Sequence, residues 1–232
     1  MLTLRKSHER GKTEISWLDS RHTFSFGDYR DPQYQAFGPL RVINEDVIAG
    51  GGGFAPHSHK DMEIVTYMLG GALAHKDSLG TGSIIRPGEI QRMSAGSGIV
   101  HAEYNASKTE PAHLLQIWIV PSKKGLEPSY EQKAIDPDAV RNKFARIAAP
   151  DPLPSEVRLV QDAEIWAGRF DGKEEAAHML QQGRKLWVQV AHGIIDVNGE
   201  ELGAGDAAAV TDEEQILARA RAPSEVLLFD MA

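Results

Sequence analysis

Four side chains in the first half of the sequence stand at spacings that suit a metal ion: His57 with His59, and His101 with Glu103. On an extended strand residues i and i+2 face the same side, about 6–7 Å apart along the chain, so each pair presents two ligands from one strand face. Two such strands, facing or adjacent, can place three imidazoles and one carboxylate around a single ion at bonds of ~2.0–2.2 Å. The chain has no cysteine, which excludes thiolate sites, iron–sulfur clusters, disulfides and cysteine nucleophiles. A sulfur-free donor set suits one divalent transition metal, Fe(II) first, with Mn, Ni, Co, Cu and Zn as alternatives; open positions on a redox-active ion suit dioxygen chemistry.

Glu63 is the competing carboxylate. It lies four residues beyond His59, about 13 Å along an unbroken strand, so it reaches the same ion only if the chain bends near Lys60-Asp61. Both Glu103 and Glu63 are candidates for a catalytic base, a role that needs a raised pKa. An apolar cavity lined by residues such as Phe54 and Met93 would supply that by desolvation. The other histidines, His8, His22, His75, His113, His178 and His192, lack partners at ligand spacing and are expected at the surface or in packing. Trp17, Trp118, Trp166 and Trp187 are expected in the core.

The elements that position these side chains read as short strands. Pro39–Ile43, Glu63–Leu69, Gly82–Arg86 and His113–Val120 are apolar runs closed by Gly, Pro, Asn or Asp, with no long helical period between them. That pattern predicts an all-β chain built as an antiparallel sandwich or barrel. From about Ala134 the character changes: Asp136 to Ala145 suits a short helix, and Ala149-Pro-Asp-Pro-Leu-Pro154 is too rich in proline for helix or sheet. The expected division is therefore a metal-binding barrel over residues 1–133, a linker over 134–155 and a second barrel over 156–232. A duplication is suggested because Gly71-Ala-Leu-Ala followed by Ile85-Arg-Pro-Gly-Glu89 is echoed by Gly193-Ile-Ile-Asp followed by Leu202-Gly-Ala-Gly-Asp206.

The 232 residues are 41% hydrophobic and 25% charged, enough for one large or two small cores. A formal net charge of −8 disfavours direct binding to nucleic acid or to an acidic membrane. The N-terminus lacks the apolar run of a signal peptide, which makes the cytoplasm the default address.

Segment Gly51 to Gly70, with its His-x-His and the carboxylate of Glu63, resembles the first cupin motif. Gly96 to Asn105 resembles the second, with Gly96 in place of the usual proline. Over residues 20–120 the chain also resembles the pirins, most closely the bacterial pirin-like quercetin 2,3-dioxygenases. The resemblance runs through His22-Thr-Phe-Ser-Phe-Gly-Asp-Tyr-Arg-Asp-Pro32, Gly38 to Asp46, the His57 and His59 motif, Gly71 to Ser78, and Met93 to Glu103. It implies two tandem cupin (double-stranded β-helix, or jelly-roll) barrels, with metal only in the N-terminal one, on His57, His59, His101 and Glu103. It leaves Glu63 as a supporting or substrate-facing carboxylate. The implied activity is cleavage of the central ring of a flavonol such as quercetin, with dioxygen consumed and carbon monoxide released. The alternative is a metal-binding regulatory protein acting on a transcription factor or metabolic enzyme, which would add a protein partner.

Overall fold

The computed structural model describes residues 1–232. Apart from a 3-10 turn at Ser7–Glu9 and the single-turn helix α1 (Pro137–Val140), all regular elements are strands. In chain order they are β1 (Leu2–Arg5), β2 (Gly11–Ile15), β3 (Leu18–His22), β4 (Leu40–Ile48), β5 (Gly53–His59), β6 (Glu63–Gly70), β7 (Leu73–Asp77), β8 (Gly82–Ile85), β9 (Glu89–Ser94), β10 (Ile99–Asn105), β11 (Ala112–Ile119) and β12 (Ser129–Ala134). After α1 come β13 (Phe144–Ala149), β14 (Val157–Arg158), β15 (Ala163–Phe170), β16 (Glu175–Met179), β17 (Lys185–His192), β18 (Ile194–Val197), β19 (Glu200–Gly203), β20 (Ala207–Val210), β21 (Gln215–Ala220) and β22 (Ser224–Met231). No helix is long and apolar enough to cross a membrane.

The chain forms two compact units, each an antiparallel double-sheet barrel. The first comprises Gly11–Ala134 with Val157–Gln161. One of its sheets runs β12-β9-β6-β11-β4-β3-β2 and the other β5-β10-β7-β8. Its apolar core includes a cluster of Leu18, Ile48, Met68, Leu73, Ile85, Ala112 and Leu114 and another of Ile64, Met93, Ala95 and Ile99. The second unit comprises Met1–Arg10, Ile135–Glu156 and Asp162–Ala232. Its sheets run β1-β20-β17-β22-β15-β13 and β16-β21-β18-β19. Here a single cluster, including Leu186, Val188, Val190, Ile195, Ile216, Val226 and Leu228, fills the interior.

The repeated turn of the sequence is a repeated structural device. Gly71 follows β6 at φ 68° and Gly193 follows β17 at φ 80°, the left-handed region that disfavours a side chain. A Cβ on Gly71 would lie 2.5 Å from the carbonyl oxygen of Pro111, and one on Gly193 would lie 2.0 Å from that of Pro223. Each glycine thus lets a hairpin pack on the proline that opens the strand paired with β6 or β17, namely β11 or β22.

The chain divides into units differently from the expected boundaries. The first residues, expected in the first barrel, form β1, which pairs with β20 in the register Leu2↔Val210 to Arg5↔Ala207. Leu2 and Leu4 pack against the second unit's core. The expected linker contains strand β13, paired with β15. The expected helix is confined to α1, capped by the Asp136 side chain accepting from Asp138 N–H with Pro137 at its start. Residues Val157–Gln161, expected in the second barrel, are held in the first unit, where Arg158 N–H donates to Glu131 Oε2 at 2.7 Å and Ser122 N–H to the Val160 oxygen at 2.7 Å.

Deleting residues 1–5 uncovers the β20 edge and the apolar surface under Leu2 and Leu4, and is expected to destabilise the second unit by about 2–3 kcal/mol. Urea denaturation followed by circular dichroism measures it; an unchanged profile would show β1 to be dispensable.

Candidate metal centre

Strand β10 is the axis of the site. Its residues alternate between buried and more exposed, with Ile99, His101, Glu103 and Asn105 inside, as the two-residue period requires. His101 lies directly opposite His57 on β5, and the two Nε2 atoms are 3.0 Å apart. The ring of His59 sits 4.8 Å from that of His57 and 4.9 Å from that of His101. Each of the three offers a ring nitrogen, and these nitrogens all lie within 4.8 Å of one another. His57 Nδ1–H donates to the Ala55 oxygen at 2.8 Å, which leaves Nε2 as the lone-pair nitrogen.

Two ring nitrogens at that separation need a proton or a cation between them. Burial, then the charges of His57, His59 and His75, push His101 down to about 2. Burial and His57 push His59 down to about 4. The added proton is disfavoured, and neutral imidazoles converging on one point are what a divalent transition ion takes as ligands.

Glu103 is buried, with 3% exposure. Its Oε2 accepts from Gln116 Nε2 at 2.9 Å, and Gln116 Oε1 accepts from Thr66 Oγ1 at 3.2 Å. Oε1 has no hydrogen-bond partner. Burial lifts this carboxyl to about 7 against the opposing pull of the Gln116 amide, with the Asp46 charge adding to the rise. A β-bulge separates His101 from Glu103 along the β5 ladder, whereas against β7 the pairing is regular and places Glu103 opposite His75. Glu103 therefore groups with His75 and His101 in a second set of mutually close donor atoms. His101 belongs to both sets. His75, expected as a packing residue, is wholly buried beside the site: its Nε2 meets Asp77 Oδ2 at 3.1 Å and its Nδ1 is unpartnered. A His/His/His/Glu cluster that can hold a metal is thus present.

The pirin model matches residues 3–119, and a quercetinase C-terminal cupin domain matches residues 146–231. The chain belongs to the pirin family. Along its whole length it is 46% identical to a quercetin 2,3-dioxygenase of Escherichia coli K12, of which it covers 99%. It is 38% identical to a pirin-like protein of Caulobacter vibrioides, with 96% of each chain covered. Among solved structures, the bacterial pirin YhhW of Escherichia coli in complex with nickel(II) superposes with a TM-score of 0.94 at 44% identity, over 100% of this chain and 99% of that one.

In this pirin the cluster opens onto a cavity of about 710 Å³, a size that suits a drug-sized organic molecule. Phe54 lines it, as do Trp17 and Trp118, which sequence reasoning placed in the core. Trp17 meets Phe54 edge-on at 5.1 Å, and Trp118 meets both His59 at 5.0 Å and Phe26 at 5.5 Å in the same way. Met93 and Glu63 do not line the cavity. Met93 is fully buried in the small core cluster with Ile64. The bend foreseen near Lys60-Asp61 exists, with Asp61 at φ 50°, yet on β6 it is Ile64 that lines the cavity. Alternation turns Glu63 away, to accept from Ser94 Oγ and from Val160 N–H at 3.4 Å. Burial raises its pKa. Gly96 also has a local cause: its φ of 48° lies outside proline's range, and a Cβ there would fall 2.0 Å from the Leu126 oxygen.

Replacing His57, His59 or His101 by Ala is expected to abolish stoichiometric metal, measured by elemental analysis after anaerobic loading; full occupancy in any two variants would sink the assignment. Glu103→Gln should weaken affinity by roughly 10–100-fold or more, while Glu63→Gln keeps the metal. The reverse pattern would give the ligand role to Glu63.

Proposed function

We propose that this chain is a metal-dependent dioxygenase that opens the central ring of flavonols such as quercetin, with one ion held by His57, His59, His101 and Glu103. The observation that carries the reading is the juxtaposition of three converging imidazoles and a buried carboxylate with a large aromatic-walled cavity. The quercetin 2,3-dioxygenase name of a relative 46% identical over the whole chain supports it, and the nickel(II) complex of a similar pirin supports a divalent transition ion as the cofactor.

A bound ion would supply Lewis acidity toward a phenolic oxygen and a site for dioxygen chemistry. The chain's own part is binding, orientation and proton handling. Trp118, Phe26, Trp17 and Phe54 offer flat apolar surface to a planar aromatic skeleton and exclude water from it. The Ala55 carbonyl fixes the ring orientation of His57. Gln116 holds Glu103 by Oε2, which leaves Oε1 to face both the ion and the flavonol hydroxyl whose proton the carboxylate would take.

The test is anaerobic reconstitution with single metals, followed by measurement of dioxygen uptake and carbon monoxide release on a flavonol panel. Turnover should require metal and fall at least 100-fold in Glu103→Gln, the scale of a lost general base. Full metal loading with no turnover on any flavonol would overturn the proposal and favour a metal-dependent regulatory role.

A further inference from the structure

The cavity has a second polar wall that the chemistry above does not use. It is carried by β3 and β4, in the sheet other than the one that bears the histidine cluster. Ser20, His22, Asn44 and Asp46 all line the cavity, and all four are buried, at 2 to 4% exposure. The cross-strand register sets Asn44 opposite His22 and Asp46 opposite Ser20. His22 Nδ1–H donates to Asn44 Oδ1 at 2.8 Å, and His22 Nε2 accepts from Thr13 Oγ1 at 2.8 Å. Ser20 Oγ donates to Asp46 Oδ1.

These bonds fix which atoms remain for a ligand. With Asn44 Oδ1 taken by His22, the amide that faces a guest presents Nδ2–H, a donor. With Asp46 Oδ1 taken by Ser20, Oδ2 remains as an acceptor. Two residues apart on one strand, they form a donor and acceptor pair on one face. Elsewhere the inward positions of these strands are apolar, as at Leu18 and Ile48. Polar groups with spare hydrogen-bonding capacity in an apolar barrel are costly unless something engages them.

We propose that Asn44 and Asp46, held in place by His22 and Ser20, form a second recognition subsite that binds ring hydroxyls of a polyhydroxylated planar substrate on the sheet opposite the histidine cluster. The inference rests on the flavonol reading and deepens it. Facing sheets stand about 10 Å apart, a gap that a fused bicycle carrying a phenyl ring bridges when one hydroxyl engages the histidine side. Phenolic hydroxyls donate to the carboxylate and accept from the amide, so the subsite reads the hydroxylation pattern of the substrate, and the histidine cluster does not.

Binding, rather than turnover, tests this. Affinities of 3-hydroxyflavone, whose rings carry no further hydroxyl, and of kaempferol and quercetin, hydroxylated on both rings, are measured by isothermal titration calorimetry. The wild type is compared with Asp46→Asn and Asn44→Ala, and metal content and thermal midpoint serve as checks of folding. Should Asn44→Ala fold poorly, Ser20→Ala, which frees Asp46 Oδ1, takes its place. In the wild type quercetin should bind about tenfold or more tightly than 3-hydroxyflavone, the value of one or two well-placed hydrogen bonds, and the ratio should fall toward unity in the variants. Equal affinities in the wild type, or a ratio unchanged by every variant, overturns the subsite and leaves the flavonol reading standing. Failure of the wild type to bind any flavonol overturns both.

Discussion

A carboxylate shut away from water must be held by something, and in the first barrel the side-chain amide of Gln116 holds Glu103. Gln116 is itself placed by the sheet: it pairs with Thr66 on one side and Asn44 on the other, and Asn44 pairs with His22. The result is a row of inward-facing polar residues across β6, β11, β4 and β3, each one placed by a backbone ladder. Moving any of these strands by one residue would turn its polar member outward. The register of the whole sheet is therefore tied to the site, and apolar clusters flank the polar row.

The second barrel shows the same frame without that constraint. Counting five residues back from the hairpin glycine gives Thr66 in the first barrel and Val188 in the second. Counting five forward from the proline ahead of the partner strand gives Gln116 and Leu228. Thr66 pairs with Gln116, and Val188 with Leu228. Where one copy carries a hydroxyl and an amide, the other carries two aliphatic side chains, and its interior closes into a single packed cluster.

Much of this was legible in the sequence because it depends on local geometry. The two-residue period foretold that His101 and Glu103 share a face, and the Gly and Pro punctuation foretold strands. What escaped depends on pairing between distant segments. His75 and His22 had no neighbour at ligand spacing, since their partners come from other strands: Glu103 opposite His75, and Asn44 opposite His22. Of the two places open to Glu63, supporting or substrate-facing, the sequence could not choose, because a bend has a direction as well as a location, and only the start of β6 at Glu63 fixes which alternate residue points inward. The lone polar residues inside apolar runs, Thr66 in β6 and Gln116 in β11, were the available signal for the row that supports Glu103. Domain boundaries failed for a related reason: composition marks where the chain changes character, and says nothing about which sheet edge a terminal strand will join.

That last feature bears on how the protein is made. The strand at Leu2–Arg5 finds its partner at Ala207–Val210, so during synthesis it emerges long before the strand it pairs with. Until then its two leucines travel with a nascent chain whose second barrel does not yet exist, and contacts so far apart in sequence form slowly. The first barrel waits as well, for Val157–Gln161. Neither barrel closes on an uninterrupted stretch of its own sequence, so the two halves of this duplicated chain are committed to being translated, and to reaching their final form, together.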